Sequence, residues 1–176
     1  MKPNKYRKAL AIFSLFMMIG FSGCGYGFRG TVNNLPPDIK EIAIPVFVNE
    51  TSEPGAEIVF ANALIYEFAR SRILKVVPES EAQAVLNGKI KAVTVDSVIY
   101  ATTSQSLERR VTLIIEVTFK RADNQKIIWQ NLGLARYETF KASDDPSQTD
   151  RNKEEAIRKI AKDLSERIHN GILENF

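Results

Sequence analysis

Residues 109–120 alternate between two kinds of side chain. Val111, Leu113, Ile115, Val117 and Phe119 fall on one side, and Thr112, Glu116, Thr118 and Lys120 on the other. Successive side chains of a strand point to opposite faces, so this period of two describes a strand with one core face and one exposed or partly covered face. A sheet with one apolar face needs a second layer to cover it. Two segments have the helical spacing to supply that layer. In the first, Thr51-Ser52-Glu53-Pro54 provides a hydroxyl cap ahead of an early proline. The helix then runs to about Arg72, with Ile58, Ala61, Ile65, Phe68 and Arg72 on one stripe flanked by Leu64 and Ala69. The second spans about 152–172 and sets Ile157, Ile160, Ala161, Leu164, Ile168 and Ile172 on one face.

Further strands are expected around these. The β-branched run 39–48 contains Pro45, which lacks an amide donor and suggests an edge or a bulge. Residues 74–77 form a short strand closed by Pro78, and 84–100 a long one with Gly88 as a bulge or bend. Asp123-Asn124 joins 109–120 to 126–137 as a hairpin, and 138–151 reads as a polar loop. The order β-α-β-β-β-β-α lacks a regular βαβα alternation. The expected fold is therefore α+β, with two helices packed on one mixed, mostly antiparallel sheet of four to five strands.

The N-terminus reads differently. Lys2, Lys5, Arg7 and Lys8 precede an apolar run at 9–19, and small residues follow at Ser22 and Gly23. That pattern is a secretory signal over 1–23, and the run is too short for a comfortable spanning helix. It is followed at once by Cys24, the sole cysteine, in a Phe21-Ser22-Gly23-Cys24 junction resembling a bacterial lipobox. The expectation is an acylated Cys24, a flexible tether over 24–37, and a single domain over 38–176. Gly25 directly after the cysteine favours the outer membrane by resemblance to lipoprotein sorting rules. The signal also removes four of the 24 basic residues, so the remainder, with 20 basic and 21 acidic, is close to neutral. A nucleic-acid partner loses its electrostatic basis.

Nothing points to catalysis. Gly25, Gly27 and Gly30 satisfy a G-x-G-x-x-G pattern, but it follows a cleaved signal, and Pro36-Pro37 lie where its helix would run. His169 is expected toward the polar flank of its helix; with no second histidine, and no thiol left once Cys24 is acylated, neither a Ser-His-Asp triad nor a Cys-His pair is expected. Asp144, Asp145 and Asp150 lack the ligand spacing of a calcium loop and read as a solvated loop. No cofactor is expected beyond the covalent lipid on Cys24, no metal site, and no enzyme activity.

The run Cys24-Gly-Tyr-Gly-Phe-Arg-Gly30, then Leu35-Pro, then Ile39-Lys-Glu-Ile-Ala-Ile-Pro-Val-Phe, resembles the lipopolysaccharide-assembly lipoprotein family LptE. So do Ala82-x-x-x-Leu86-x-Gly88-x-Ile90 and Tyr137 near the end of the last strand. The resemblance implies a plug inside a large outer-membrane β-barrel, the lipopolysaccharide translocon. It would assist assembly of that barrel and receive lipopolysaccharide at the periplasmic face. The competing expectation is a membrane-tethered periplasmic module that binds an apolar or amphipathic ligand without a barrel partner.

Topology suggests where lipopolysaccharide would be touched. If 84–100 and 109–120 form a hairpin, the loop 101–108 and the loop after 126–137 lie at one end of the sheet. Arg109, Arg110, Arg136 and Lys141 would then converge there, as a set of charge-assisted donors for phosphate groups.

Overall fold

The computed structural model describes residues 35–98 and 108–174. The expected strand 109–120 is β5 (Glu108–Arg121), and its odd-numbered residues from Val111 to Phe119 are all buried. Around it stand β1 (Glu41–Ala43), β2 (Val48–Asn49), α1 (Ala56–Ser71), β3 (Lys75–Val76), β4 (Ala84–Val98), β6 (Ile127–Lys141) and α2 (Pro146–Glu174). The sheet runs β3-β1-β4-β5-β6, with β2 also paired to β4. Pairings of β1 with β3 and β4, and of β2 with β4, are parallel; β4–β5 and β5–β6 are antiparallel. This is the expected α+β architecture, two helices on one mixed sheet, with six strands rather than four or five.

The sixth strand arises at Pro45. The expected strand 39–48 splits into β1 and β2, which follow β4 at Ala84–Val85 and again at Lys89–Ile90. Pro45 cannot donate to the ladder and falls in the gap between the two, where this segment runs one residue longer than the facing stretch of β4, so the expected irregularity is there and is wide enough to split the strand. Phe47, inside that gap, turns into the core and stacks on Phe60 of α1 at 5.5 Å. It lies over Gly88, where a Cβ atom would occupy the space of the Phe47 ring. Gly88 is thus a packing glycine in a regular Gly88–Val117 pair, and the β-bulge sits three residues on, at Lys91.

The bulges keep the faces in phase. With Lys91 unpaired, Ile90 and Val93 both face Ile115 and Leu113 on the helix-bearing side. An extra residue at 132–133 of β6 likewise leaves Trp129 and Leu134 on that side, with the Gly133 amide held by the Asn131 side chain at 3.1 Å. Trp129 packs against Gly171 of α2, where a Cβ would meet its ring at 2.9 Å.

Both helices depart from their expected phase or length. In α1 the buried side is Ala56, Phe60, Ala61, Leu64, Glu67 and Phe68; Ile58, Ile65 and Arg72 are exposed. The expected stripe was rotated, because α1 carries apolar residues on two sides and periodicity does not rank them. Its start is Gly55 in the left-handed region (φ 85°), with no side-chain cap. The Thr51 hydroxyl instead accepts the Glu53 amide in the preceding turn. In α2 every residue expected in the core is buried. The segment 138–151, expected as a loop, is strand as far as Lys141 and helix from Pro146. Asp145 explains the early start, since its carboxylate accepts the Ser147 amide at 2.9 Å ahead of Pro146. Leu35 is also buried in the core.

At one end of β5 the Arg121 guanidinium donates to Asp38 at 2.5 Å and to Asp123 at 3.1 Å. Both carboxyls are held below their ordinary value of 3.8, chiefly by those bonds. Glu50 is held below 4.5 mainly by Lys91, and Glu57 mainly by its own backbone amide and then Asn49. A depressed folded-state value stabilises the fold above the ordinary value and loses that effect as pH falls through the folded one. The thermal midpoint should hold from pH 7 to about 5 and drop below about 4, less steeply in Arg121→Gln and in high salt. A wild-type midpoint that is flat through pH 3 would contradict this.

Candidate functional site

The four basic residues do come to one end of the sheet. Glu108 pairs with Lys141, Arg109 with Phe140, Arg110 with Thr139, and Leu113 with Arg136. They do not share a face. Arg109 and Arg136 alternate with core residues and lie on the helix-bearing side, whereas Arg110 and Lys141 lie on the opposite side. Arg136 is engaged in an ion pair with Asp163 of α2 at 2.9 Å, which ties β6 to the helix layer. The loop expected at 101–108 is outside the described residues except for Glu108, as are the signal 1–23, Cys24, and the tether 24–37 as far as residue 34.

The side away from the helices is the more open one, and no described element covers it. Its end bears Thr94, Asp96, Arg110, Thr112, Ile114, Tyr137, Thr139 and Lys141, placed in neighbouring rows by the β4–β5–β6 register. Arg110 has a defined geometry there. Its guanidinium carbon lies 4.5 Å from the centre of the Tyr137 ring, a diagonal cation–π contact across the β5–β6 pair. Its Nε is shielded from solvent and has no hydrogen-bond partner. The ring orients the planar cation without consuming its donors, so the guanidinium can still donate to a carboxylate or phosphate. Lys141 lies one row away, and its carbonyl accepts the Asn152 side-chain amide at 2.8 Å, which anchors the strand end to α2.

The Arg110–Tyr137 contact was not readable beforehand. Periodicity places Arg110 and Thr112 on the exposed face, but the partner on β6 depends on a register set by a bulge at 132–133. A second feature also escaped the sequence. Between the start of α1 and the first half of α2 lies a cavity of about 500 Å³, lined by Glu53, Val59, Lys153, Ile157 and Arg158 among others. Lys153 and Glu53, on its wall, form an ion pair at 3.0 Å.

His169 is corrected. It is buried between the helices, edge-on to Phe68 at 5.0 Å, rather than on a polar flank. Its Nδ1 meets the Asn170 side chain at 3.2 Å. Among the described residues no group of three or more His, Cys, Asp or Glu is arranged to hold a metal ion. No helix among them is long and apolar enough to cross a membrane, which does not bear on β-barrels.

The sequence model of a lipopolysaccharide-assembly family, LptE, matches residues 39–172. No curated protein matches by sequence. Solved structures resemble the fold. A Caulobacter crescentus protein described as a lipoprotein superposes with a TM-score of 0.51 at 13% identity, covering 73% of this chain and 86% of its own. A Helicobacter pylori homologue of a neuraminyllactose-binding hemagglutinin gives 0.53 at 12%, covering 85% and 90%. At such identities the likeness establishes the architecture alone.

Proposed function

Because the chain belongs to the lipopolysaccharide-assembly family LptE, we propose that it is a lipoprotein acylated on Cys24 that plugs an outer-membrane β-barrel translocon and receives lipopolysaccharide there. The family match over 39–172 carries this reading. The open sheet face supports it with a surface that could meet a ligand. Lipid A and inner-core sugars present phosphates beside apolar chains. Arg110, held over Tyr137, and Lys141 supply cations at one end of that face, with Ile114 as an apolar neighbour.

The first test is a pull-down of the full chain from detergent-solubilised outer membranes. A one-to-one complex with a large β-barrel is expected. A chain that runs alone, and whose loss leaves surface lipopolysaccharide unchanged, would instead support a tethered binding module. Mass spectrometry of the mature N-terminus should find diacylglycerol on Cys24, and a free thiol there would refute the anchor.

The second test is Arg110→Glu with Lys141→Glu. Well-formed charge-assisted contacts contribute about 1.5–3 kcal/mol each, and exposed ones much less. Retention of lipopolysaccharide should fall at least tenfold while the thermal midpoint and the barrel complex persist. Arg136→Glu should instead lower the thermal midpoint by breaking the pair with Asp163. Unchanged retention in the double variant would move the site off this face.

A further inference from the structure

The open end of the sheet face carries acceptors as well as cations, and their arrangement limits what it can hold. The β4–β5–β6 register sets three rows there. Thr94, Thr112 and Tyr137 form the first, Asp96, Arg110 and Thr139 the second, and Val98, Glu108 and Lys141 the third. Successive rows are two residues apart on each strand, so all three lie on one face. The first two cover a patch about 10 Å across the strands and about 7 Å along them.

The hydrogen-bonding groups of that patch are unspent. Among the described residues, no hydrogen bond or ion pair engages the side chains of Thr94, Asp96, Thr112, Tyr137 or Thr139. Further along the same face the charges do pair, with Glu50 taking both Lys89 and Lys91. Asp96 differs although a cation is at hand. It lies directly across from Arg110 in the ladder, yet the guanidinium leans the other way, onto Tyr137, and leaves the carboxylate exposed.

The charges also balance. Arg110 and Lys141 are matched by Asp96 and Glu108, so the patch carries no net charge and draws a polyanion no more than a neutral surface would. A single anionic group still gains locally from Arg110, whose planar fork fits a carboxylate or phosphate through two parallel bonds. Whatever lies beside that group must suit acceptors and hydroxyls. An ionised Asp96 only accepts, and threonine hydroxyls both accept and donate. A second phosphate would be repelled by Asp96, whereas adjacent sugar hydroxyls would donate to both of its oxygens. We propose that this platform holds an acidic sugar, with its anionic group on Arg110 and its neighbouring hydroxyls on Asp96, Thr94, Thr112 and Thr139. The inference rests on the lipopolysaccharide reading for the source of that sugar, the core saccharide, while a free acidic saccharide presents the same chemistry.

Asp96→Ala separates a sugar from a bare phosphate by the sign of its effect. Asp96 is exposed and unpaired, so its replacement should leave the thermal midpoint unchanged. Beside a phosphate the change lifts a repulsion and strengthens binding. Beside a sugar it deletes an acceptor and weakens binding. In the full chain in mild detergent, Asp96→Ala should lower lipopolysaccharide retention about tenfold, the scale of one hydrogen bond to a charged group. Retention of lipid A freed of its core sugars should not fall. If the parent retains lipopolysaccharide and Asp96→Ala retains it equally or better, the sugar platform is overturned and the lipopolysaccharide reading stands.

A second measurement does not depend on lipopolysaccharide. With threonine methyl groups labelled for NMR, glucuronate should shift the Thr94, Thr112 and Thr139 signals of the full chain. Glucose and inorganic phosphate at the same concentration should shift them much less, and Asp96→Ala should remove most of the glucuronate response. Phosphate shifts as large as those from glucuronate, or no glucuronate shift, would overturn the proposal. A parent that answers glucuronate but retains no lipopolysaccharide would give the platform to a free acidic saccharide and reject the lipopolysaccharide reading alone.

Discussion

Gly88→Ala should destabilise the domain by about 2–4 kcal/mol, although it adds one methyl group to a strand that already forms. A Cβ at this position would enter the Phe47 ring, and that ring has nowhere to retreat. Phe47 is 3% exposed, stacked on Phe60, and held in the short gap between β1 and β2. Either the ring leaves the core or β4 bends away from β5, and both disturb the centre of the sheet. Urea unfolding of the full chain checks the size of the effect. Combining Gly88→Ala with Phe47→Ala should cost less than the two single losses added together, by at least about 1 kcal/mol, because the smaller side chain removes the clash. Strict additivity, or a near-neutral Gly88→Ala, would show that the ring is not confined.

Phe68→Ala should cost about 3–5 kcal/mol, while Ile58→Ala, ten residues earlier on the same helix, should stay within about 0.5 kcal/mol. Phe68 is fully buried against α2, edge-on to His169. Its removal leaves a void that helices pinned by Leu64, Leu164 and Ile168 cannot easily collapse, and it strips the packing from the His169 ring. Ile58 is 55% exposed and gives up little apolar area. For a domain of this size the first change corresponds to roughly 10 °C or more in thermal midpoint and the second to about a degree. The pair is decisive because periodicity alone put both residues on one buried stripe. Comparable losses at the two positions would restore that phase and reject the packing of α1 described here.

Much of the architecture was legible because its signals are local. The alternation of 109–120 specified β5, the 3.6-residue spacing specified the core face of α2, and the lack of βαβα alternation specified the α+β class. Errors arose where a local signal had two physical solutions. Apolar residues on both sides of α1 left its inward face undetermined. Gly88 fitted a bulge as well as a close ring contact. The segment 138–151 is polar enough for a loop, yet Glu138–Lys141 is an edge strand, where alternate polar residues are tolerated, and Asp145-Pro146 starts a helix.

The candidate site divides in the same way. That Arg109, Arg110, Arg136 and Lys141 reach one end of the sheet followed from strand order, because antiparallel neighbours return the chain to where it began. Which face each residue takes, and what it touches there, did not follow. One inserted residue at 132–133 shifts the phase of everything after it on β6, placing Arg136 against Asp163 and Tyr137 beneath Arg110. By itself the sequence determined most of the elements and the resemblance to LptE, because periodicity and short motifs reside in neighbouring residues. Only the tertiary structure decided the register, the buried side of α1 and the partners of each charge, because those depend on contacts between segments far apart in the chain.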